Sequence, residues 1–457
     1  MRFAAIVDHP QRDLLGLSLV SAHLAMMGHQ LDLVSADSAG RHLVRGDFDL
    51  VLVNYVRDNN RRLLHRILDG GQKVVVLDTE GGVFETPVHF ERTLSTDREL
   101  FTRLSSYLTW GTQTRDLLVR EGFVTAERVF ITGQPRFDVY RPPYLDAMRA
   151  VATNRTRKTR PRLLINFNYP IARPRFGTAK SEVHALVERM SWPEDEARRL
   201  QRRQADARNE MLSLVDLLSS RIPTIEIAVR PHPFERVDDL LELTKKRENV
   251  VFAGNSPIQD WIVTSDLVLQ RGCTTAIEAW LAGSLAVSPT WVDADRGENI
   301  ADKMSLEVDA RSDLVGICES LGRDGFLPGA AGAFEPTKAH VEKVVGWVGL
   351  CDGRSAWRVA TALEQISRQS QKRERRRRGS SEVLRSAVPA RIKRLGRTKR
   401  LSTLWDNAKM VRKSLILSDA PVVAVISDGL ELSRRRPFHW RSAKNLRGDI
   451  PKSSLAH

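Results

Sequence analysis

Leu267-Val268-Leu269-Gln270-Arg271-Gly272-Cys273-Thr274-Thr275-Ala276-Ile277-Glu278-Ala279 runs from strand to loop to helix within thirteen residues. The apolar triplet reads as a short strand buried on both faces. Gly272 lets the backbone come close to whatever lies beside it. The Thr pair opens a helix that continues to residue 281. Outward from this stretch the same alternation recurs. Strands are predicted at 163–167, 224–229, 250–252 and 285–287, and a long charged helix over 185–218 is interrupted by Pro193. Further helices are predicted at 337–348 and 356–366. The first third of the chain alternates in the same way. Strands at 3–7, 31–34, 50–53, 73–77, 106–109 and 129–131 are interleaved with helices at 14–27 and 61–68. Strand–helix alternation of this kind implies an α/β fold with parallel sheets covered on both faces. Pro142-Pro143 and the basic polar run 154–160 read as a link between two such series.

Three stretches carry chemistry. The carboxyl end of a parallel strand is where open α/β sheets bind ligands. Val229-Arg230-Pro231-His232-Pro233 follows a strand directly. A histidine between two prolines stands on a stiff backbone and can donate to a phosphate, and Arg230 adds a permanent charge. The plainer reading is a rigid turn. At Gly272, the helix start offers free N–H groups and a favourable dipole for phosphate. The Thr274 and Thr275 hydroxyls can add to it, and Glu278 can accept from ribose hydroxyls. The plainer reading is a Thr cap with Glu278 completing a capping box. In the first series, residues 74–77 run into Asp78-Thr79-Glu80-Gly81-Gly82, a strand ending in two acids and two glycines. Transfer to a hydroxyl needs a base, and Glu80 is favoured over Asp78. An acidic loop without chemistry is the alternative. Weaker candidates are Arg136, which can reach a donor or pair with Asp138, then Asn166 and Asn168 after the strand at 163–167, and Arg12-Asp13 after the first strand.

The formal charge is +15, with 71 Lys and Arg against 56 Asp and Glu. From Gln371 onward there are 23 basic and 7 acidic residues, which leaves 48 and 49 before that point. The basicity therefore belongs to the tail and the body is near neutral. Cys273, Cys318 and Cys351 form no Cys-x-x-Cys, which suits a reducing compartment and argues against structural zinc. No signal peptide and no apolar run of membrane-spanning length is read, so a cytoplasmic location is expected.

Together these elements resemble the surface carbohydrate biosynthesis proteins of bacteria, a group similar to the two-domain (GT-B) glycosyltransferases. The resemblance rests on Asp78-Thr79-Glu80-Gly81, Gly133-Gln134-Pro135-Arg136-Phe137-Asp138, Leu164-Ile165-Asn166-Phe167-Asn168, Arg230-Pro231-His232-Pro233 and Gly272-Cys273-Thr274-Thr275-Ala276-Ile277-Glu278-Ala279, and covers roughly residues 1–363. The trio of acids and glycine, His-Pro, and paired hydroxyls is also similar to that of transferases using CMP-sugars of the sialic acid and Kdo types. The resemblance implies two Rossmann-like domains facing a cleft. These are an acceptor domain at 1–142 and a donor-nucleotide domain at 160–350, with a closing helix at 351–370 and a basic tail at 371–457. It implies Glu80 as base, with Asp78 as the second choice. His232 would lie on the donor phosphate, with Thr274 and Thr275 beside it and Arg230, Gly272, Glu278, Asn166, Asn168 and Arg136 around the donor. Thr79 stands where a second tandem acid is expected, so the choice of base stays open.

The expected activity is inverting, metal-independent sugar transfer from a nucleotide-sugar, such as a CMP-sugar, to a glycan or lipid-linked acceptor. No cofactor and no metal are expected. The tail would hold the protein to an anionic inner-membrane surface. Nucleic acid is the disfavoured partner, because the tail has little aromatic interleaving. Two alternatives stand. One is a related enzyme on the same scaffold, either a polyol-phosphate transferase using a CDP-alcohol or a nucleotide-sugar epimerase. The other is a non-catalytic scaffold or nucleotide-binding protein in polysaccharide assembly.

Overall fold

The computed structural model describes residues 1–80, 87–190, 192–254, 256–297, 299–327, 329–382 and 439–441. The first domain carries strands β1 (Arg2–Val7), β2 (Gln30–Ser35), β3 (Leu50–Val53), β4 (Val74–Leu77), β5 (Ser106–Thr109) and β6 (Val129–Ile131). They pair in parallel in the order β2-β1-β3-β4-β5-β6. The second domain carries β7 (Arg162–Asn166), β8 (Glu226–Arg230), β9 (Val250–Phe252), β10 (Leu267–Leu269), β11 (Leu285–Pro289) and β12 (Leu306–Val308), again parallel, in the order β12-β11-β10-β7-β8-β9. A short strand, β13 (His439–Arg441), adds antiparallel to β2 at the outer edge of the first sheet. The chain thus forms two Rossmann-like α/β domains, as the strand–helix alternation implies.

Successive strand side chains point to opposite faces, and the apolar residues sort accordingly. In β1, Ala4 and Ile6 join a cluster on the outer face of the first sheet. Phe3, Ala5 and Val7 join a larger cluster shared by both domains. In β7 and β10, Leu163, Ile165, Leu267 and Leu269 pack on the outer face of the second sheet, while Leu164 and Val268 face the shared cluster. One apolar core therefore lies between the two sheets and welds the domains together.

The stretch 142–159, read above as an open link, is mostly helix, Tyr144–Thr156. Its apolar positions, Tyr144, Ala147, Met148, Val151 and Ala152, fall at helical spacing and are buried. That stripe outweighs the proline pair before it, and the helix ends at Arg157, whose φ of 48° is left-handed. It packs on the short helix Ile258–Ile262 of the second domain. The interruption at Pro193 separates two helices, Ala179–Met190 and Glu194–Arg221. The helices Ala36–Arg45, Thr112–Arg120 and Arg311–Asp324, and the strand β12, add to those read from the sequence.

The chain finally returns to the first domain. The helix Ser355–Glu382 packs along the helix Pro10–Met26, burying Ala356, Val359, Ala360, Leu363 and Ile366 at helical spacing. Its first turn is capped from a distance. Asp138 accepts from the Ser355 N–H at 3.0 Å and the Ala356 N–H at 2.7 Å. Beyond Glu382 only β13 is described, so the remainder of the expected basic tail lies outside the described residues. Among the described residues no helix is long and apolar enough to cross a membrane.

Candidate functional site

The carboxyl ends of β8, β7 and β10 lie side by side. Arg230 is in register with Asn166, Val229 with Ile165, and Ile165 with Leu269. Neighbouring strands are about 4.8 Å apart, so the segments leaving β8 and β10 start about 10 Å from each other with β7 between them. The His232 corner and the Thr274–Thr275 helix start are thus on one edge of one sheet.

Pro231 is buried and His232 half-buried. His232 Nδ1 accepts from the Phe234 N–H at 3.2 Å. The neutral ring then carries its proton on Nε2. Burial pushes the His232 pKa down to about 4. Glu80 of the first domain opposes that shift, while Arg12 and Arg230 add to it. Glu80 and Arg12 belong to the first domain, across the cleft, so the His-Pro corner is electrically coupled to the acidic loop.

Around Gly272, the Gly272 N–H donates to Asp302 Oδ1 at 2.7 Å and the Cys273 N–H to Gln270 Oε1 at 2.7 Å. Gly272 has a φ of +61°, and a Cβ there would lie 2.0 Å from the Arg296 guanidinium carbon. Arg296 donates to the Gly272 carbonyl at 3.2 Å. The helix Thr275–Ala282 begins without a side-chain cap from Thr274. Among the described residues no hydrogen bond engages the Thr274 or Thr275 N–H. Asn166 Nδ2 contacts Cys273 Sγ at 3.2 Å, and Cys273 Sγ contacts the Thr275 hydroxyl at 3.1 Å. Asn168, two residues after Asn166 and past the end of β7, is half-buried.

Arg230 and Glu278 are spent differently from the donor contacts expected of them. Arg230 is buried and donates to the carbonyls of Ala253, at 2.5 Å, and Ser256, and to Gln11 Oε1 of the first domain at 3.0 Å. Burial lowers its pKa to about 10. Glu278 forms no capping box. Its Oε2 accepts from the Tyr140 hydroxyl at 2.7 Å, and Arg136 approaches its Oε1 at 3.9 Å. Burial raises the Glu278 pKa, against the pull of Arg136. Arg136 lies over the rings of Trp110 and Phe137 and does not pair with Asp138, whose carboxylate caps the returning helix. Arg230, Glu278 and Arg136 therefore tie the two domains together beneath the cleft.

On the first domain, Asp78 and Glu80 diverge. Asp78 is fully buried, accepting from the Tyr107 hydroxyl at 2.7 Å and the Glu80 N–H at 2.8 Å. Burial raises its pKa. Its backbone carbonyl takes the Trp110 indole N–H and Gln134 Nε2. The Glu80 side chain is 44% exposed and lies between Arg12 at 2.8 Å and Arg57 at 2.5 Å. Burial alone would raise its pKa, but the two guanidinium groups bring it down to about 2. Gly81 and Gly82 lie outside the described residues.

Arg57, Tyr107, Arg296, Arg208 and Glu235 shape the site without having been singled out by sequence. Arg57 comes from the loop after β3 and Tyr107 from β5, and nothing in their spacing announces the convergence. The sequence also holds two Asp-x-Asp triplets that the reading above passed over, Asp47-Phe48-Asp49 and Asp293-Ala294-Asp295. Asp49 accepts from the Arg2 N–H at 2.7 Å, and Asp293 pairs with Arg203 at 2.8 Å. Among the described residues no group of three or more His, Cys, Asp or Glu is gathered to hold a metal ion.

No protein-family model matches the chain, and no curated protein matches it in sequence. Solved structures do match. The wall teichoic acid polymerase TagF, in a CDPG soak, aligns over 81% of this chain and 89% of its own, with a TM-score of 0.52 and 9% identity. The UDP-GlcNAc 2-epimerase of Methanocaldococcus jannaschii, in complex with UDP-GlcNAc and UDP, aligns over 80% of this chain and 100% of its own, with a TM-score of 0.50 and 11% identity. The likeness is one of fold. It extends across both sheets and makes the architecture GT-B-like, two Rossmann-like domains facing a cleft.

Proposed function

We propose that this chain is a nucleotide-sugar-dependent transferase of surface carbohydrate assembly, with its donor phosphate held between His232 and the Thr274–Thr275 helix start. One observation carries the reading. The His-Pro corner and the open helix start share the carboxyl edge of the second sheet, and the acidic loop of the first domain acts electrostatically on His232 across the cleft. Of the two solved neighbours, the epimerase is in complex with UDP-GlcNAc and UDP, and the polymerase was soaked with CDPG. A nucleotide-linked donor here is in keeping with them.

The chemistry follows from the site. A helix terminus and an Nε2–H donor together stabilise charge developing on a leaving phosphate. Of the two acids, only Glu80 reaches solvent, so Glu80 is the base. Held at a low pKa by two arginines, it is a poor proton acceptor at rest. An anionic group on the acceptor or donor that draws Arg12 or Arg57 away would raise its basicity as the substrates assemble. In-line displacement then inverts the anomeric centre. Arg230, Glu278 and Arg136 act by fixing the domain arrangement, and anionic lipid is the proposed partner of the basic tail.

The test is a thermal-shift panel of CMP, CDP and UDP on the wild type and on His232→Ala. At least one nucleotide should raise the melting temperature of the wild type. His232→Ala should melt like the wild type when free, yet lose most of that rise. A panel with no stabilising nucleotide, or a His232→Ala protein stabilised as much as the wild type, would count against the assignment.

A further inference from the structure

Glu235 lies three residues past His232 and is 1% exposed. Its N–H donates to the His232 carbonyl at 2.9 Å, closing a tight turn. Its Oε2 accepts from the His232 N–H at 3.4 Å and from the Tyr169 N–H at 3.3 Å. One carboxylate thus fastens the loop after β8 to the loop after β7. Burial raises its pKa, and a buried carboxylate needs a paired charge.

Arg208 supplies that charge from the helix Glu194–Arg221. Its Nε donates to Glu235 Oε1 at 2.5 Å, and its two terminal nitrogens hold Asp239 at 2.6 and 2.9 Å. The forked guanidinium fits this double load in a way a lysine ammonium does not. The two loops are also joined through their backbones. The Arg175 N–H donates to the Phe234 carbonyl at 2.7 Å and the Arg236 N–H to the Arg173 carbonyl at 2.9 Å. The Phe234 N–H that fixes the His232 tautomer belongs to the same turn.

We propose that Arg208 and Glu235 are positioning residues for His232, holding its turn so that the ring keeps the proton on Nε2 for an anionic group of the ligand. The inference rests on the phosphate-contacting role given to His232 above. Neither residue lies in the cleft wall formed by the Thr274–Thr275 helix start or the acidic loop. A brace with a merely structural role would change the melting temperature and leave the imidazole as it is. A positioning role moves the imidazole itself.

The test uses the full chain labelled with 15N-histidine, as wild type, Glu235→Gln, Arg208→Lys and His232→Ala, with tautomer and titration read by long-range 15N–1H correlation. In the wild type His232 should be the Nε2–H tautomer, titrating near pH 4. In Glu235→Gln and Arg208→Lys it should populate both tautomers, with its midpoint at least one unit higher. Glu80, Arg12 and Arg230, which act on the same ring, are unchanged in both variants, so the shift would come from the brace. Affinity for CDP, measured by calorimetry, should fall at least tenfold in both. If Arg208→Lys does not melt cooperatively, Glu235→Gln carries the test, since glutamine keeps the side-chain length while its single carboxamide oxygen cannot serve both Arg208 and the two N–H groups as the two carboxylate oxygens do. Folded variants with the wild-type tautomer and midpoint would overturn the proposal. The spectroscopic arm needs no ligand, so it separates the two ideas. Equal CDP binding by wild type and His232→Ala would remove the functional reading, and the ligand role of the brace with it, even where the tautomer shifts.

Discussion

Asp78 and Glu80 are two residues apart, and their surroundings displace their pKa values in opposite directions. Burial drives Asp78 up, while Arg12 and Arg57 drive Glu80 down to about 2. The sequence could place both acids at a strand end, because a valine-rich run stopping at Asp-Thr-Glu-Gly has few other readings. It could not rank them physically, because the deciding partners, Arg57 and Tyr107, arrive from β3's loop and from β5. Two outcomes follow for Glu80→Gln. Turnover should drop by about 10²-fold or more if Glu80 is the base, measured with whichever donor the nucleotide panel selects. Stability should also change with pH. A carboxylate with a depressed folded pKa stabilises the protein above its unfolded value and loses that contribution as pH falls. The wild type should therefore outlast Glu80→Gln at pH 6, with the gap in melting temperature closing between about pH 4.5 and 2. Solvent screening keeps the gap modest, given how exposed this side chain is. A gap that persists unchanged at pH 2 would mean the arginines are not what holds Glu80.

At the scale of elements, the turn at Gly272 and the helix after it were legible because strand, glycine and paired hydroxyls are adjacent in sequence. The helix Tyr144–Thr156 was obscured, because Pro142-Pro143 and the basic run behind it dominate the local composition while its apolar stripe is thin. What the Gly272 turn demands was also invisible, since Arg296 comes from a separate loop. Gly272→Ala meets two obstacles, a left-handed φ and a guanidinium where the methyl must go. The left-handed conformation costs about 1–2 kcal/mol for a residue with a Cβ. Chemical denaturation should show a loss of at least that size. Nucleotide stabilisation should weaken further if the donor phosphate sits where we propose, because the displaced Arg296 and the shifted helix start would border it. An alanine variant as stable as the wild type would show that the turn relaxes freely and that glycine is not required there.

For the whole molecule, the sequence announced two α/β series but not what joins them. Beside the shared apolar core, the polar joints come from distant segments, among them Gln11 with Arg230 and Tyr140 with Glu278. In sequence, Glu278 reads as a ribose contact because it lies one turn into the helix proposed to meet the donor phosphate. In the fold that helix turns its acid inward, where the shared core isolates it and Tyr140 answers it. The consequence is a pH dependence of domain coupling. A carboxyl group with a raised folded pKa holds its proton longer in the native state than in the unfolded chain, so stability falls as pH rises above the unfolded value of about 4.5. Tyr140→Phe takes away the hydrogen-bond donor and leaves a buried acceptor unpaired, a cost of about 1–3 kcal/mol. That cost should grow with pH, because the ionised form loses more than the neutral acid. Glu278→Gln cannot ionise and can still accept from Tyr140, so it should flatten the slope. Melting temperatures of the three proteins from pH 4 to 8 decide the matter. Parallel curves for wild type and Glu278→Gln would mean that the ionisation of this carboxyl group does not enter the coupling of the domains.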